Sequence, residues 1–179
     1  MCVCVCVCVQ VPIVESGALL ELRKLVGQEG FHEIQCHAAG TLRNLAAENQ
    51  NKVQKHVFTK PHLSFTYSLP QAIVEAGCLI ALSEQLRDST NIPEVVLSEV
   101  SAAMAVLASD GKPFHLHFTY HLHRMLPCPA ALARRQIMEL YSGDFYKILI
   151  KLTESPYTEV QYNCAGVIGH LAINRECHL

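Results

Sequence analysis

The chain has 179 residues, half of them apolar, and a formal net charge of −2 at pH 7. This length allows an ordinary hydrophobic core, and the near-neutral charge favours neither nucleic acid nor an anionic membrane surface as a partner. No apolar run approaches the ~20 residues that a bilayer-spanning helix requires.

The first segment, residues 1–10, is a tract in which Cys2, Cys4, Cys6 and Cys8 alternate with valine. It lacks the basic leading region and the small-residue cleavage site of a secretory signal peptide. Its cysteines are conceivable palmitoylation targets, which would give the chain a lipid anchor. The other cysteines are scattered without framework spacing, so we expect free thiols in a reducing compartment.

Three later parts of the chain begin alike, each with a short stretch that ends in glycine. These stretches are IVESG at 13–17, IVEAG at 73–77 and LYSG at 140–143. Apolar residues at helical spacing follow each glycine, and glycine tolerates the positive φ of a sharp bend between helices. The sequence therefore predicts a short helix, a bend at glycine and a second helix at each of the three places.

A longer helix is predicted after each second helix. The three segments are EIQCHAAGTLRNLAA from Glu33, VVLSEVSAAMAVLAS from Val95 and EVQYNCAGVIGHLAI from Glu159, which align without gaps. Apolar residues recur in them at offsets of four, eight and eleven positions, which places them on one helical face. We expect this face to be buried; its members are Ile34, Val96, Val160, Ala38, Val100, Cys164, Leu42, Met104, Ile168, Leu45, Leu107 and Leu171.

A unit of two or three helices cannot bury such a face alone, whereas stacked units can. On these motifs the chain resembles the armadillo repeat family, and EIQCHAAGTLRNLAAENQNK at 33–52 resembles its vacuole-membrane adaptors. The resemblance implies an all-α fold: a right-handed armadillo superhelix, or α-solenoid, of about three repeats, interrupted by irregular inserts. It also implies a binding scaffold without enzyme activity, catalytic residues, metal or cofactor.

The repeat spacing predicts the inserts. Leu45, Leu107 and Leu171 lie 62 and 64 residues apart by their sequence numbers, whereas armadillo units run about 40–47 residues. Each interval therefore holds roughly twenty residues more than one unit needs. The division that we predict is a Cys-Val tract at 1–10, repeats at 11–55, 72–112 and 137–179, and inserts at 56–71 and 113–136.

The resemblance also implies a binding site. In armadillo proteins the third helix of each repeat lines a concave groove, where a ladder of asparagines holds the backbone of an extended peptide. Asn44 matches the ladder position, but Val106 and His170 stand at the aligned positions, so the ladder is incomplete. An alternative role for Asn44 is to satisfy backbone groups between repeats. The polar residues expected in the groove are Gln35, His37, Arg43, Asn44, Gln161, Asn163 and His170.

Two other features could carry chemistry. The segment HLHFTYHLH brings together four histidines near Cys128, but its spacing matches no zinc motif, so we expect a surface loop; the histidines are His115, His117, His121 and His123. Cys36 and His37 could form a nucleophile and base. Adjacent helical residues point about 100° apart, however, which favours packing over catalysis.

The function expected from the sequence is an adaptor that anchors partner proteins at a vacuole or lysosome membrane. An alternative is a cytosolic or nuclear peptide-binding scaffold of the importin or catenin type, and a remote one is a His/Cys metal-binding protein or thiol enzyme. We expect a cytoplasmic protein, including the vacuole or lysosome surface. Its partners would be other proteins, bound in the groove of the third helices, and not nucleic acid. Contact with a membrane would be indirect or through a lipid anchor.

The tract and both inserts share a further property that generates a prediction. Each ends in glutamine close to a repeat, at Gln10, Gln71 and Gln136, and one glutamine codon is CAG, the usual last triplet of an intron. We therefore hypothesise that 1–10, 56–71 and 113–136 are translated non-coding DNA. Transcript sequencing should show mRNA that lacks these codons; transcripts that retain the codons for 56–71 in most copies would refute the hypothesis.

Overall fold

The computed structural model describes residues 12–57, 69–109 and 129–173, and in these ranges the chain folds into helices without strands. A helical turn at 12–15 precedes α1. The helices are α1 (Ala18–Val26), α2 (His32–Val57), α3 (Leu69–Glu75), α4 (Cys78–Arg87), α5 (Glu94–Ala108), α6 (Pro129–Glu139), α7 (Phe145–Leu152) and α8 (Thr158–Ile173). Short 3-10 turns occur at Ser89–Asn91 and Leu140–Gly143. None of the described helices is long and apolar enough to cross a membrane.

The helices form three successive blocks, and each block ends in a long third helix. These third helices are α2, α5 and α8. Helix α2 packs along α5 and α5 along α8, while α1, α4 and α7 each pack on the third helix of their own block. The predicted all-α armadillo-type solenoid is therefore confirmed.

The core lies on the predicted face of the third helices. Eleven of its twelve predicted members are buried or half-buried, with Ile168 half-buried against the core. The exception is Ile34, which is 37% exposed although Val96 and Val160 at the aligned positions are 0% exposed. Helices α5 and α8 each pack on the third helix of the preceding block, and no described helix takes that place beside α2. The prediction that Ile34 is buried was wrong for this reason.

The predicted bends occur at the three glycines, since φ is 84° at Gly17, 75° at Gly77 and 89° at Gly143. In the third block Tyr141 and Ser142 also adopt positive φ, of 52° and 57°. Such backbone costs about 1–3 kcal/mol per residue, and it persists where surrounding contacts fix it.

The Tyr141 side chain provides such contacts to the second block. Its hydroxyl oxygen lies 3.3 Å from Oγ of Ser83, and the guanidinium carbon of Arg87 lies 5.2 Å from the centre of its ring. The ring centre of Phe145 lies 5.8 Å away. The strained turn thus holds an aromatic ring against α4.

The structure changes the predicted insert boundaries. Residues 129–136, predicted to end an insert, belong to α6, where Ala133 is buried. Arg134 is also buried, and its Nη1 donates a hydrogen bond of 3.0 Å to the backbone oxygen of Ala108 at the end of α5. Residues 69–71 likewise lie in α3 and 56–57 in α2. The predicted insert boundary at residue 136 therefore lies inside α6. The rest of both predicted inserts, and residues 1–10, lie outside the described residues.

The bend at Gly77 generates a stability prediction. A Cβ added to Gly77 would lie 3.1 Å from Nη1 of Arg23, in a backbone conformation that L residues rarely adopt. We expect Gly77→Ala to lower the free energy of unfolding by about 1–2 kcal/mol, the usual cost of left-handed backbone for an L residue. Chemical denaturation followed by circular dichroism measures this change.

The matched control is Gly27→Ala. Gly27 has φ of −83°, and the nearest atom to an added Cβ is the Lys24 backbone oxygen at 3.7 Å. This substitution should leave the free energy of unfolding within about 0.5 kcal/mol or raise it slightly. Equal destabilisation by the two variants would contradict the role assigned to the bend.

Candidate functional site

An open depression of about 440 Å³ lies between the third helices α5 and α8. We call it the α5–α8 groove. Its lining contains no Asp, Glu, Lys or Arg and consists of Ala102, Ala105, Val106, Ser109, Tyr162, Asn163, Ala165, Gly166 and His170.

One aligned position of the third helices holds a small residue in all three blocks. That position holds Gly40 in α2, Ala102 in α5 and Gly166 in α8. A Cβ at Gly40 would lie 3.2 Å from Oε2 of Glu99, whereas a Cβ at Gly166 would meet nothing within 4 Å. The Glu99 carboxylate of α5 therefore lies against Gly40, whereas the space beside Gly166 in α8 is open.

Two predicted groove residues, Asn163 and His170, do line this groove. The Nδ2 group of Asn163 donates to Oγ of Ser101 at 3.1 Å and to the backbone oxygen of Ser98 at 3.4 Å. Asn163 thereby joins α8 to α5. His170, half-buried, contributes an imidazole to the open surface.

The predicted residues of α2 lie outside the α5–α8 groove. Nη1 of Arg43 lies 3.2 Å from Oε2 of Glu99, an ion pair that links α2 to α5. His37 and Asn44 are exposed on α2. The structure does not bring Asn44 into the groove with His170, and a peptide-clamping role for it stays a prediction.

The two glutamines predicted for the groove make hydrogen bonds within the fold. Gln35 is only 2% exposed; its Nε2 group donates to the backbone oxygen of Val26 at 3.2 Å and to Oε1 of Gln85 at 3.0 Å. Its amide therefore satisfies polar groups inside the core, away from the α5–α8 groove. Gln161 is half-buried, and its Nε2 group donates a hydrogen bond of 2.7 Å to the backbone oxygen of Ser155. This bond fixes the start of α8.

Sequence reasoning missed the apolar part of the lining. Tyr162 is 79% exposed beside Val106, Ala102 and Ala105, which are half-buried. One signal was present in the aligned segments: Tyr162 is a large aromatic where the other third helices have Cys36 and Ser98. A search restricted to polar residues could not find it.

The cysteine thiols of the described residues have raised pKa values. Burial raises the pKa of Cys78 to about 11 and that of Cys164 to about 12. Burial, followed by the charge of Glu99, also raises the pKa of Cys36. A reactive cysteine needs a lowered pKa, so these positions offer no activated thiolate.

A metal site is likewise not formed by the part of the chain that the structure describes, where no group of three His, Cys, Asp or Glu side chains comes together. The predicted histidine cluster at 115–123, with Cys128, lies outside that part.

Comparison with known proteins finds armadillo repeats and vacuolar proteins. The sequence model of the Armadillo/beta-catenin-like repeat matches residues 10–47. Vacuolar protein 8 of Yarrowia lipolytica is 32% identical over 91% of this chain and 21% of its own length. Vacuolar protein 8 of Saccharomyces cerevisiae is 30% identical over 89% of this chain and 20% of its own length. A designed armadillo repeat protein of known structure aligns over 90% of this chain and 85% of its own, with 22% identity and a TM-score of 0.24.

The stacked three-helix blocks and the repeat match give the described chain the architecture of armadillo-repeat proteins. Within that class the chain is related to vacuolar protein 8 of fungi, as the sequence motifs predicted. It spans about a fifth of the length of these relatives.

Proposed function

We propose that the chain is a protein-binding scaffold that holds an uncharged segment of a partner protein in the α5–α8 groove. The observation that carries the proposal is the groove itself, an open space of about 440 Å³ between two third helices. No catalytic constellation competes with this use among the described residues.

The lining determines the kind of partner segment. Small apolar side chains surround the exposed ring of Tyr162, and large aromatics contribute much of the binding energy of protein interfaces. No carboxylate or guanidinium lines the groove to pair with a charge, and burying an unpaired charge is costly. The partner segment would therefore be apolar, with neutral polar groups that can bond to the imidazole of His170.

A substitution at Gly166 can block the groove. An added Cβ at Gly166 meets no atom within 4 Å, so Gly166→Arg should fold normally and place a long charged side chain in the open space. Peptides selected from a random phage-display library on the full chain should bind this variant at least about tenfold more weakly. Isothermal titration calorimetry measures the loss.

The matched control is Glu84→Arg, which puts the same side chain on an exposed position of α4, away from the third helices. It should leave peptide affinity within about twofold of the original chain. Peptides that bind the Gly166→Arg variant as tightly as the original chain would show that the groove is not the site.

We propose further that the scaffold acts at the surface of a vacuole or lysosome. The support is the similarity to vacuolar protein 8, whose name places that protein at the vacuole. The cysteines of residues 1–10 are the proposed attachment point for a lipid, since palmitoyl groups linked as thioesters hold proteins on membranes.

Cell fractionation tests the location separately from the groove. The full chain, expressed in yeast with a C-terminal tag, should sediment with vacuole membranes and be released by hydroxylamine, which cleaves thioesters. A variant with serine at Cys2, Cys4, Cys6 and Cys8 should stay in the supernatant. If the unaltered chain is found in the cytosol or nucleus instead, the vacuole proposal fails and the importin- or catenin-like alternative is supported.

A further inference from the structure

One histidine gives the α5–α8 groove a group that can change its charge. Among the described residues that line the groove, His170 is the one whose side chain type gains or loses a proton between about pH 5 and 8. It is half-buried on α8, in the last turn of the helix. Asn163 and Gly166 precede it by seven and four residues, so the three lie along one face of α8. The imidazole is therefore part of the same surface that a partner segment would cover.

No charged side chain lines the described groove together with His170. Helix α8 packs on α5, α6 and α7, and the charged residues of these helices lie outside the groove lining. Glu99 of α5 pairs with Arg43 of α2 at 3.2 Å, and Glu139 of α6 pairs with Arg135 at 3.0 Å. The charged residues of the four helices are Glu94 and Glu99 of α5, Arg134, Arg135 and Glu139 of α6, Lys147 and Lys151 of α7, and Glu159 of α8 itself. An imidazolium at His170 would thus have no carboxylate in the lining to pair with.

We propose that protonation of His170 releases the partner segment, so that the groove holds its partner at neutral pH and loses it as the pH falls. This inference rests on the function proposed for the groove. An apolar segment that covers the groove removes water from the imidazole. A neutral imidazole keeps one donor and one acceptor for neutral groups of the partner, whereas an imidazolium would be buried as an unpaired charge, which is costly.

Proton linkage gives the direction of the effect. Because the neutral form of His170 binds the segment better, binding expels a proton from those chains that carry one. The affinity therefore falls as the pH decreases through the range in which His170 takes up its proton, and it is constant above that range. A segment that carried a carboxylate to His170 would show the opposite direction and bind more tightly at low pH.

A peptide without ionisable groups tests this on the full chain. The probe is a library peptide that the Gly166→Arg variant fails to bind, synthesised with blocked ends and without Asp, Glu, His, Lys or Arg. Isothermal titration calorimetry should give an affinity at least about fivefold lower at pH 5.5 than at pH 7.5, since histidine changes its charge within this range. Circular dichroism at both pH values verifies that the chain stays folded.

Substitutions of His170 separate its proton from those of the other histidines. His170→Gln, which is neutral at every pH, should bind the peptide with the same affinity at pH 5.5 and 7.5. His170→Lys, which stays charged, should bind more weakly than His170→Gln at both values. The matched control is His37→Gln, exposed on α2 and outside the α5–α8 groove, which should keep the pH dependence of the unaltered chain.

The outcomes distinguish this inference from the function on which it rests. If Gly166→Arg abolishes binding but the unaltered chain binds equally well, or more tightly, at pH 5.5, the groove is the site and the role of His170 is refuted. A fivefold pH dependence that persists in His170→Gln would refute that role as well. If no selected peptide is blocked by Gly166→Arg, the proposed groove function fails, and this inference fails with it.

Discussion

The packing of each third helix against the next is the interaction on which the whole structure depends. Helix α5 packs against both α2 and α8, and it buries residues such as Val96, Met104 and Leu107. Burial of one such side chain stabilises the fold by about 1.5–3 kcal/mol. Loss of α5 from its place would expose the apolar faces of both neighbours, so the first and third blocks are connected through it.

The same packing scheme produces different surfaces because single residues change at aligned positions. Between α2 and α5 the charged pair of Arg43 and Glu99 links the two helices, and the carboxylate lies against Gly40. Between α5 and α8 the neutral Asn163 bonds to Ser98 and Ser101 instead. One aligned position thus supplies an ion pair to one contact between third helices and an amide to the next.

Sequence periodicity predicts the features that depend on one helix alone. It fails for residues whose burial depends on a segment far away in the sequence. The buried face of the third helices and the positive φ of Gly17 and Gly77 follow from local pattern. The burial of Gln35 depends on Gln85, fifty residues away, whose amide supplies its partner. Ile34 is exposed because no described helix lies beside it, and the sequence around Ile34 does not reveal this. The short helix before Gly143 was predicted, but the predicted insert 113–136 takes in its first residues, 129–136.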